Sequence, residues 1–389
     1  MTKHSSFHRL SKALQQNIQR RKALTNNPSN TLVIGLMSGT SCDGIDISII
    51  KTNGTDYIEI IANDFFIYPS QFQKKLKKLH KLSADKLLPI EKQFTIYNVY
   101  LIQSLLKRLE INADDISAIG FHGHTVYHDP TQSITMQIGN PHLLSALTKI
   151  NVVYDFRRKD MAYNGQGAPL VPIFHKALFL QYTHNPIAVI NIGGVANLTY
   201  INQESIIAFD TGPGCALIDD AMLKLYNQSY DIDGQTAKMG IVQKKLVRQF
   251  IANDFFNQAP PKSLNRNHFH DFAHCLLDEK IEKQNQIATL TEFTIASICK
   301  GLEQLPNYPK IIYLCGGGAK NSSIRNGIKV QIKKQQSKLV DDNKIDTDFI
   351  ESQAFAYLAA RYIKGLPSNF KTTTGANQEL VLGVLVPVL

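Results

Sequence analysis

Apolar and polar positions alternate in a readable way from Leu32 onward. Two short apolar runs, Leu32-Val33-Ile34 and Ile47 to Ile50, flank the small polar stretch Gly35-Leu36-Met37-Ser38-Gly39-Thr40-Ser41-Cys42-Asp43-Gly44-Ile45-Asp46. Two β-branched runs joined by such a segment predict strand, tight turn, strand. Tyr57 to Tyr68 alternates like a further strand, and Ser70 to Leu82 reads as a basic helix. Over Leu88 to Leu109 the apolar residues recur near a period of about 3.6, which predicts a long helix. Ile116 to Phe121 reads as a buried strand that ends in His122-Gly123-His124-Thr125, and Thr135 to Ile138 as a short strand. Pro141, behind an Asn140 N-cap, opens a helix to Leu147. Val152 to Tyr154 leads into Asp155-Phe156-Arg157-Arg158-Lys159-Asp160, and the small-residue segment 164–169 follows.

The second half repeats the opening pattern. After a helix over Val171 to Tyr182, Ile187 to Tyr200 reads as strand, Gly193-Gly194 turn, strand, and Ile206 to Phe209 runs into Asp210-Thr211-Gly212-Pro213-Gly214. Helices are expected at 216–226, 244–255, 272–278, 287–305, 324–334 and 351–364, with a strand at Lys310 to Cys315 that ends in Gly316-Gly317-Gly318. The two strand–turn–strand units are too divergent for a repeat of the solenoid kind. They predict two similar domains facing each other across a cleft, each offering a Gly-rich turn to the triphosphate of ATP, with Gly316 to Gly318 near the adenosine. The expected division is an extension over 1–30 (disordered or a short helix), a first domain over 31–157 plus 366–389, and a second over 158–365.

Composition changes this picture little. At 389 residues, 43% hydrophobic and 19% charged, the chain has room for two globular domains. The net charge of +10 comes from scattered lysines without aromatic interleaving, so a solvated basic surface is favoured over nucleic-acid binding. Five widely spaced cysteines with no C-x-x-C argue against disulfides or zinc and fit a reducing cytoplasm. No apolar run reaches the length of about 18 residues that a membrane span needs.

Among candidate chemical groups Asp210 stands first. A carboxylate at a strand end beside small residues can approach a ligand and act as a general base; the same pattern also serves an Asp that merely starts a turn. The hydroxyls and N–H groups of the first turn suit phosphate oxygens, and its carboxylates suit hydrated Mg²⁺. His122 and His124, two apart at a strand end, are expected on one side. With no third ligand at helical spacing, hydrogen bonding to a sugar is favoured over zinc. The Arg157-Arg158 pair reads either as an ion-paired loop or as a grip on an anionic group. Glu351 sits in the first turn of an Ala-rich helix, where the helix terminus alone would favour it. Cys42 is read as a bystander.

Together these segments resemble the anhydro-N-acetylmuramic acid kinases. The likeness rests on Gly35 to Asp46, His122 to Thr125, Gln137 to Pro141, Asp155 to Asp160 and Gly165 to Pro172. It continues through Asn191 to Gly194, Phe209 to Gly214, Cys315 to Ala319 and Glu351 to Ala356, all in one order. The resemblance implies an α/β, two-domain actin-like/sugar-kinase ATPase fold with duplicated ribonuclease-H-like domains. It also implies a cytoplasmic enzyme that uses ATP and Mg²⁺ to open 1,6-anhydro-N-acetylmuramic acid hydrolytically and phosphorylate O6 in cell-wall sugar recycling. The catalytic Asp then falls on Asp210, with Glu351 supporting it. Thr125 and Arg158 fall on sugar-contacting positions, Arg158 toward the lactyl carboxylate. Gly39, Thr40, Ser41, Cys42, Asp43, Gly44, Ile45 and Asp46 fall on the phosphate loop, joined by Gly193, Gly194 and Gly316 to Gly318. Asp43 would meet the metal through water. A homodimer, and neither nucleic acid nor membrane, is the expected company. A kinase of another sugar or carboxylic acid on the same fold is the alternative. The chain departs from the family's usual pattern in residues 1–30 and at Tyr163 in the loop Ala162 to Gly165.

Overall fold

The β-branched runs form the frame. In the computed structural model, which describes residues 30–39, 41–179, 185–203, 205–264, 268–271, 280–340 and 347–388, they build two mixed sheets. Residues 1–29 of the expected N-terminal extension, Thr40 and the helix expected over 272–278 lie outside the described residues.

The strands are β1 (Thr31–Ser38), β2 (Gly44–Thr52), β3 (Ile58–Ile67), β4 (Ile116–Asp129), β5 (Ile134–Ile138), β6 (Val152–Tyr154), β7 (Ile187–Ile192), β8 (Val195–Asn202), β9 (Ser205–Pro213), β10 (Ile311–Cys315), β11 (Lys338–Val340) and β12 (Val384–Val386). The first sheet runs β12-β6-β4-β1-β2-β3, with β5 paired to β4; the second runs β11-β10-β7-β8-β9. In each, an antiparallel three-stranded meander continues into two strands parallel to its first: β1 with β4 and β6, and β7 with β10 and β11. This shared order is the duplicated ribonuclease-H-like arrangement of the actin-like, sugar-kinase ATPase fold. It brings the β1–β2 turn, the β7–β8 turn and the end of β9 to corresponding edges of the two sheets.

The helices used below are α1 (Ser70–Leu76), α2 (Ala84–Arg108), α3 (Pro141–Thr148), α4 (Arg158–Ala162), α5 (Pro172–Leu178), α6 (Ala216–Tyr226), α7 (Gln235–Met239), α8 (Lys244–Ile251), α9 (Lys283–Glu303), α10 (Ser322–Lys333), α11 (Ile350–Ile363) and α12 (Lys371–Thr374). Residues of α1, α2 and α3 cover one face of the first sheet in a core with Ile34, Ile47 and Ile119. Those of α6 to α10 cover one face of the second sheet. Between the sheets lies a third core, in which α5 and α11 meet Val33 and Ala118 from one side and Val189 and Tyr313 from the other. Among the described residues no helix is long and apolar enough to cross a membrane.

Helix α11 shows how sequence specifies this packing. It is buried on nearly every side from Ser352 to Arg361 and is mostly apolar, as a helix between two layers should be. A methyl group on Gly35 would overlap the Ser352 carbonyl oxygen, and one on Gly120 the Phe355 carbonyl oxygen. Gly35 therefore serves helix-on-strand contact rather than the turn to which the sequence pattern assigned it. The division at 365/366 also separates α11 from the strands β1 and β4 on which its backbone rests. β12 pairs with β6 and so joins the first sheet.

Candidate active site

The first turn is shorter than its motif. Strand β1 continues to Ser38 and β2 resumes at Gly44, so only residues 39–43 connect them, while Gly44, Ile45 and Asp46 are strand residues and Ile45 belongs to the core. Ser41 and Asp43 are exposed, and Asp43 Oδ1 accepts bonds from Ser41 Oγ (2.6 Å) and from its neighbour's N–H at Gly44 (3.0 Å). Gly39 is open, with the Ser41 hydroxyl the nearest atom to any added methyl, at 3.5 Å. Cys42 is buried in left-handed backbone (φ 58°), and burial pushes its thiol up to about 11 against the pull of Lys77. A thiol this reluctant to ionise is no nucleophile.

The second turn is backbone only. Gly193 and Gly194 are held by the segment after β9: Cys215 N–H donates to Gly193 O (2.7 Å) and Gly214 N–H to Gly194 O (2.9 Å). A methyl on Gly214 would overlap the Gly193 carbonyl oxygen. The third glycine turn packs against the same unit. Gly316 has φ 78°, a methyl on Gly318 would overlap Ile192, and Gly317 faces open space. These two turns therefore lie against each other.

Asp210 lies on β9 opposite Asn197, one strand away from the second turn. Its Oδ2 accepts from Leu264 N–H at 2.7 Å, and its own N–H donates to Lys262 O at 2.9 Å. The carboxyl is half-buried, and loss of hydration pushes it up to about 7, with the Leu264 bond opposing. A group that exchanges a proton near neutrality is what general base chemistry requires.

The two histidines do not share a side. Between the Leu36–Phe121 and Ser38–His124 pairs, β4 uses three residues where β1 uses two, and Gly123 takes φ 80° there. This β-bulge re-aims the side chains that follow it. His122 packs on Phe355 of α11 (4.6 Å between rings), while His124 packs toward Phe94 of α2 (6.2 Å) on the opposite face of the sheet. Strand β4 also does not stop at these residues but runs on to Asp129, paired with β5 from His124 onward. Thr125 is half-buried, and its hydroxyl accepts from Gln137 Nε2 at 3.3 Å.

His122 leads to Arg157, the member of the arginine pair that the resemblance set aside in favour of Arg158. Arg157 donates from Nε to His122 Nε2 (3.0 Å) and from an η nitrogen to Gly167 O (2.6 Å). Burial lowers its guanidinium to about 10, while nearby Glu351 and Asp160 hold it up. Glu351, in the first turn of α11, has its carboxyl raised by burial and lowered by Arg157, and its field reaches the Cys315 thiol of the second sheet. Glu351 therefore lies where the two sheets meet. Arg158 is exposed at the start of α4 and pairs with Asp155 at 3.5 Å. Asp160, fully buried, accepts from Gly167 N–H, Asn369 and Thr374, which ties the 163–169 loop to the C-terminal segment. Adjacent arginines in a short turn look alike in sequence; here Arg157 turns inward to His122 and Gly167 while Arg158 stays exposed.

The family model for anhydro-N-acetylmuramic acid kinase matches residues 31–388. The chain belongs to the anhydro-N-acetylmuramic acid kinase family. The anhydro-N-acetylmuramic acid kinase of Bradyrhizobium diazoefficiens is 36% identical over 90% of this chain and 98% of its own length. That of Haemophilus influenzae is 36% identical over 91% and 97%. Among solved structures, component A of the Acidaminococcus fermentans (R)-2-hydroxyglutaryl-CoA dehydratase covers 86% of this chain and 99% of its own, at 12% identity and a TM-score of 0.44. Strand order and family membership, not that last likeness, carry the fold. Membership makes the protein a kinase.

Proposed function

We propose that the protein opens 1,6-anhydro-N-acetylmuramic acid with water and phosphorylates it from ATP, giving N-acetylmuramic acid 6-phosphate and ADP. The observation that carries this reading is Asp210, a carboxyl poised near pH 7 at a strand end beside the second glycine turn. The internal ether joins C1 to O6. Asp210 takes a proton from water, and the water oxygen bonds to C1. The C1–O6 bond breaks, and O6 takes the γ-phosphoryl group as its bond to the bridging oxygen of ADP breaks.

Thr125, Glu351 and Arg157 hold the sugar, with Glu351 supporting Asp210. Arg158, exposed and paired with Asp155, reaches for the lactyl carboxylate. The turns at 39–43, 193–194 and 316–318 hold ATP through backbone N–H groups and hydroxyls, and positioning supplies much of phosphoryl transfer.

Magnesium fits these residues. Asp43 presents an exposed carboxylate with one oxygen occupied by its own turn. Among the described residues no three His, Cys, Asp or Glu side chains gather to cage a metal. Mg²⁺ held by water and phosphate oxygens with a single carboxylate needs no such cage. When bound it would neutralise phosphate charge. The reading extends, through family membership alone, to the cytoplasm, to cell-wall sugar recycling and to a homodimer.

The test is incubation with Mg-ATP and the anhydro sugar in ¹⁸O-water. Label at C1 of the 6-phosphate is expected. Phosphorylation of N-acetylglucosamine, with no opening of the anhydro sugar, would overturn the reading.

A further inference from the structure

The bulge in β4 joins two parts of the site that lie on different faces of the sheet. On one face His122 holds Arg157, which in turn bonds the 163–169 loop. On the other, His124 reaches back to the first turn: its Nδ1 lies 2.9 Å from Ser38 Oγ and its Nε2 3.7 Å from Cys42 Sγ. Ser38 Oγ also lies 2.7 Å from Tyr68 OH, and Tyr68 N–H donates to Asp43 O at 3.0 Å. All of Ser38, Cys42, Tyr68 and His124 are buried. The residue after His124 is Thr125, on the sugar side of the proposed site. The phosphate turn is therefore braced from beneath by the same strand segment that carries a sugar contact.

From this geometry we infer that His124 is a positioning residue, which holds Ser38 and the Cys42–Asp43 end of the first turn in register with Thr125 so that the γ-phosphoryl group meets O6 rather than water. The inference rests on the kinase reading above. Burial lowers the His124 imidazole to about 4, so at neutral pH it is uncharged and can accept at one ring nitrogen while donating at the other. A neutral ring between a hydroxyl and a thiol braces the turn without bringing a charge into the core. Gly123 is required for the arrangement, because a methyl there would overlap the Ile138 carbonyl oxygen and force the bulge open.

The experiment measures ADP and sugar phosphate together in wild type, H124A, H124N and S38A, with KM for each substrate. Wild type is expected to form the two products one for one. If it forms no sugar phosphate from the anhydro sugar, the kinase reading itself fails and the fault is not with His124. In H124A, misplacement of the turn should lower sugar phosphorylation by up to about 100-fold. ADP should then exceed sugar phosphate, and KM for ATP should rise more than KM for sugar. H124N returns an amide near the Nδ1 position and should recover most of the coupling. S38A removes the other end of the same bond and should give the same signature more weakly, which keeps the test open if H124A folds poorly. One-for-one products with both KM values unchanged in H124A and S38A, whatever the loss of rate, would overturn the inference.

Discussion

The two glycine turns occupy the same place in two sheets of the same strand order, yet they are built by different means. The first is a short polar turn braced from elsewhere, by the buried His124 ring beside Ser38 and Cys42 and by the Tyr68 N–H on Asp43 O. The second is a pair of glycines locked by backbone bonds from residues 214 and 215. Their neighbouring strands differ as well. β3 ends in Phe65-Phe66-Ile67, whereas β9 carries Asp210. Duplication supplied one frame twice; on the proposed function, side chains place the metal contact on the first unit and the proton chemistry on the second. A turn made of side chains can be tuned one residue at a time, whereas a turn made of backbone depends on the absence of side chains.

The sharpest way to break this division of labour is Asp210→Asn. General base catalysis contributes about 10²–10⁴-fold, so turnover should fall by that much while ATP affinity stays nearly unchanged. Normal turnover would return the chemistry to the first unit. Next in size is the pH profile. With the Asp210 carboxyl at about 7, kcat/KM should fall about tenfold per pH unit below that value and level off above it. A flat profile from pH 5 to 8 would remove Asp210 from the rate equation. Stability should move the opposite way. The folded-state pKa is raised, so the native protein binds the extra proton between the ordinary carboxylate range and about 7, and stability falls as pH rises through that window. In thermal melts D210N should lack that slope.

The backbone turn is tested by Gly214→Ala, which forces a methyl against Gly193 O. Overpacking of this kind costs about 1–3 kcal/mol. Gly39→Ala, in open space, should stay within about 0.5 kcal/mol of wild type in denaturant titrations. Equal costs would show that the two turns are alike after all. The smallest effect is expected for Asp43→Asn. Loss of one exposed charge is worth at most about 1 kcal/mol, about fivefold in KM for Mg-ATP, with the melting temperature unchanged. A loss as deep as that of D210N would mean that Asp43 does more than meet a hydrated metal.

Most of the frame was legible in advance. Periodicity located β1 to β3, the helices α2 and α9 and the strand β10, and Asn140 does cap α3 through Leu143 N–H at 2.9 Å. Boundaries failed where a residue far along the chain altered the local rule. Gly35 looked like part of a turn because small residues mark turns; it lies in a strand because α11 rests on it. Strand β4 seemed to end at polar residues; it continues because β5 pairs with it and the bulge at Gly123 turns its histidines to opposite faces.

By itself the sequence determined the local elements, the two strand–turn–strand units and the residue types at their ends, since propensity, turn chemistry and apolar period are properties of neighbouring residues. The collinear motifs also determined the family. Only the tertiary structure decided which arginine meets His122, which way His124 faces, and that the Asp210 carboxyl is pushed toward neutrality. Burial, facing and hydration depend on partners brought together from distant parts of the chain. Arg157 and Gly167 sit against the same strand, and Leu264 caps a carboxylate at residue 210. His122 and Arg157, like Asp210 and Leu264, are too far apart in the chain for any window of local sequence to contain both members of either contact.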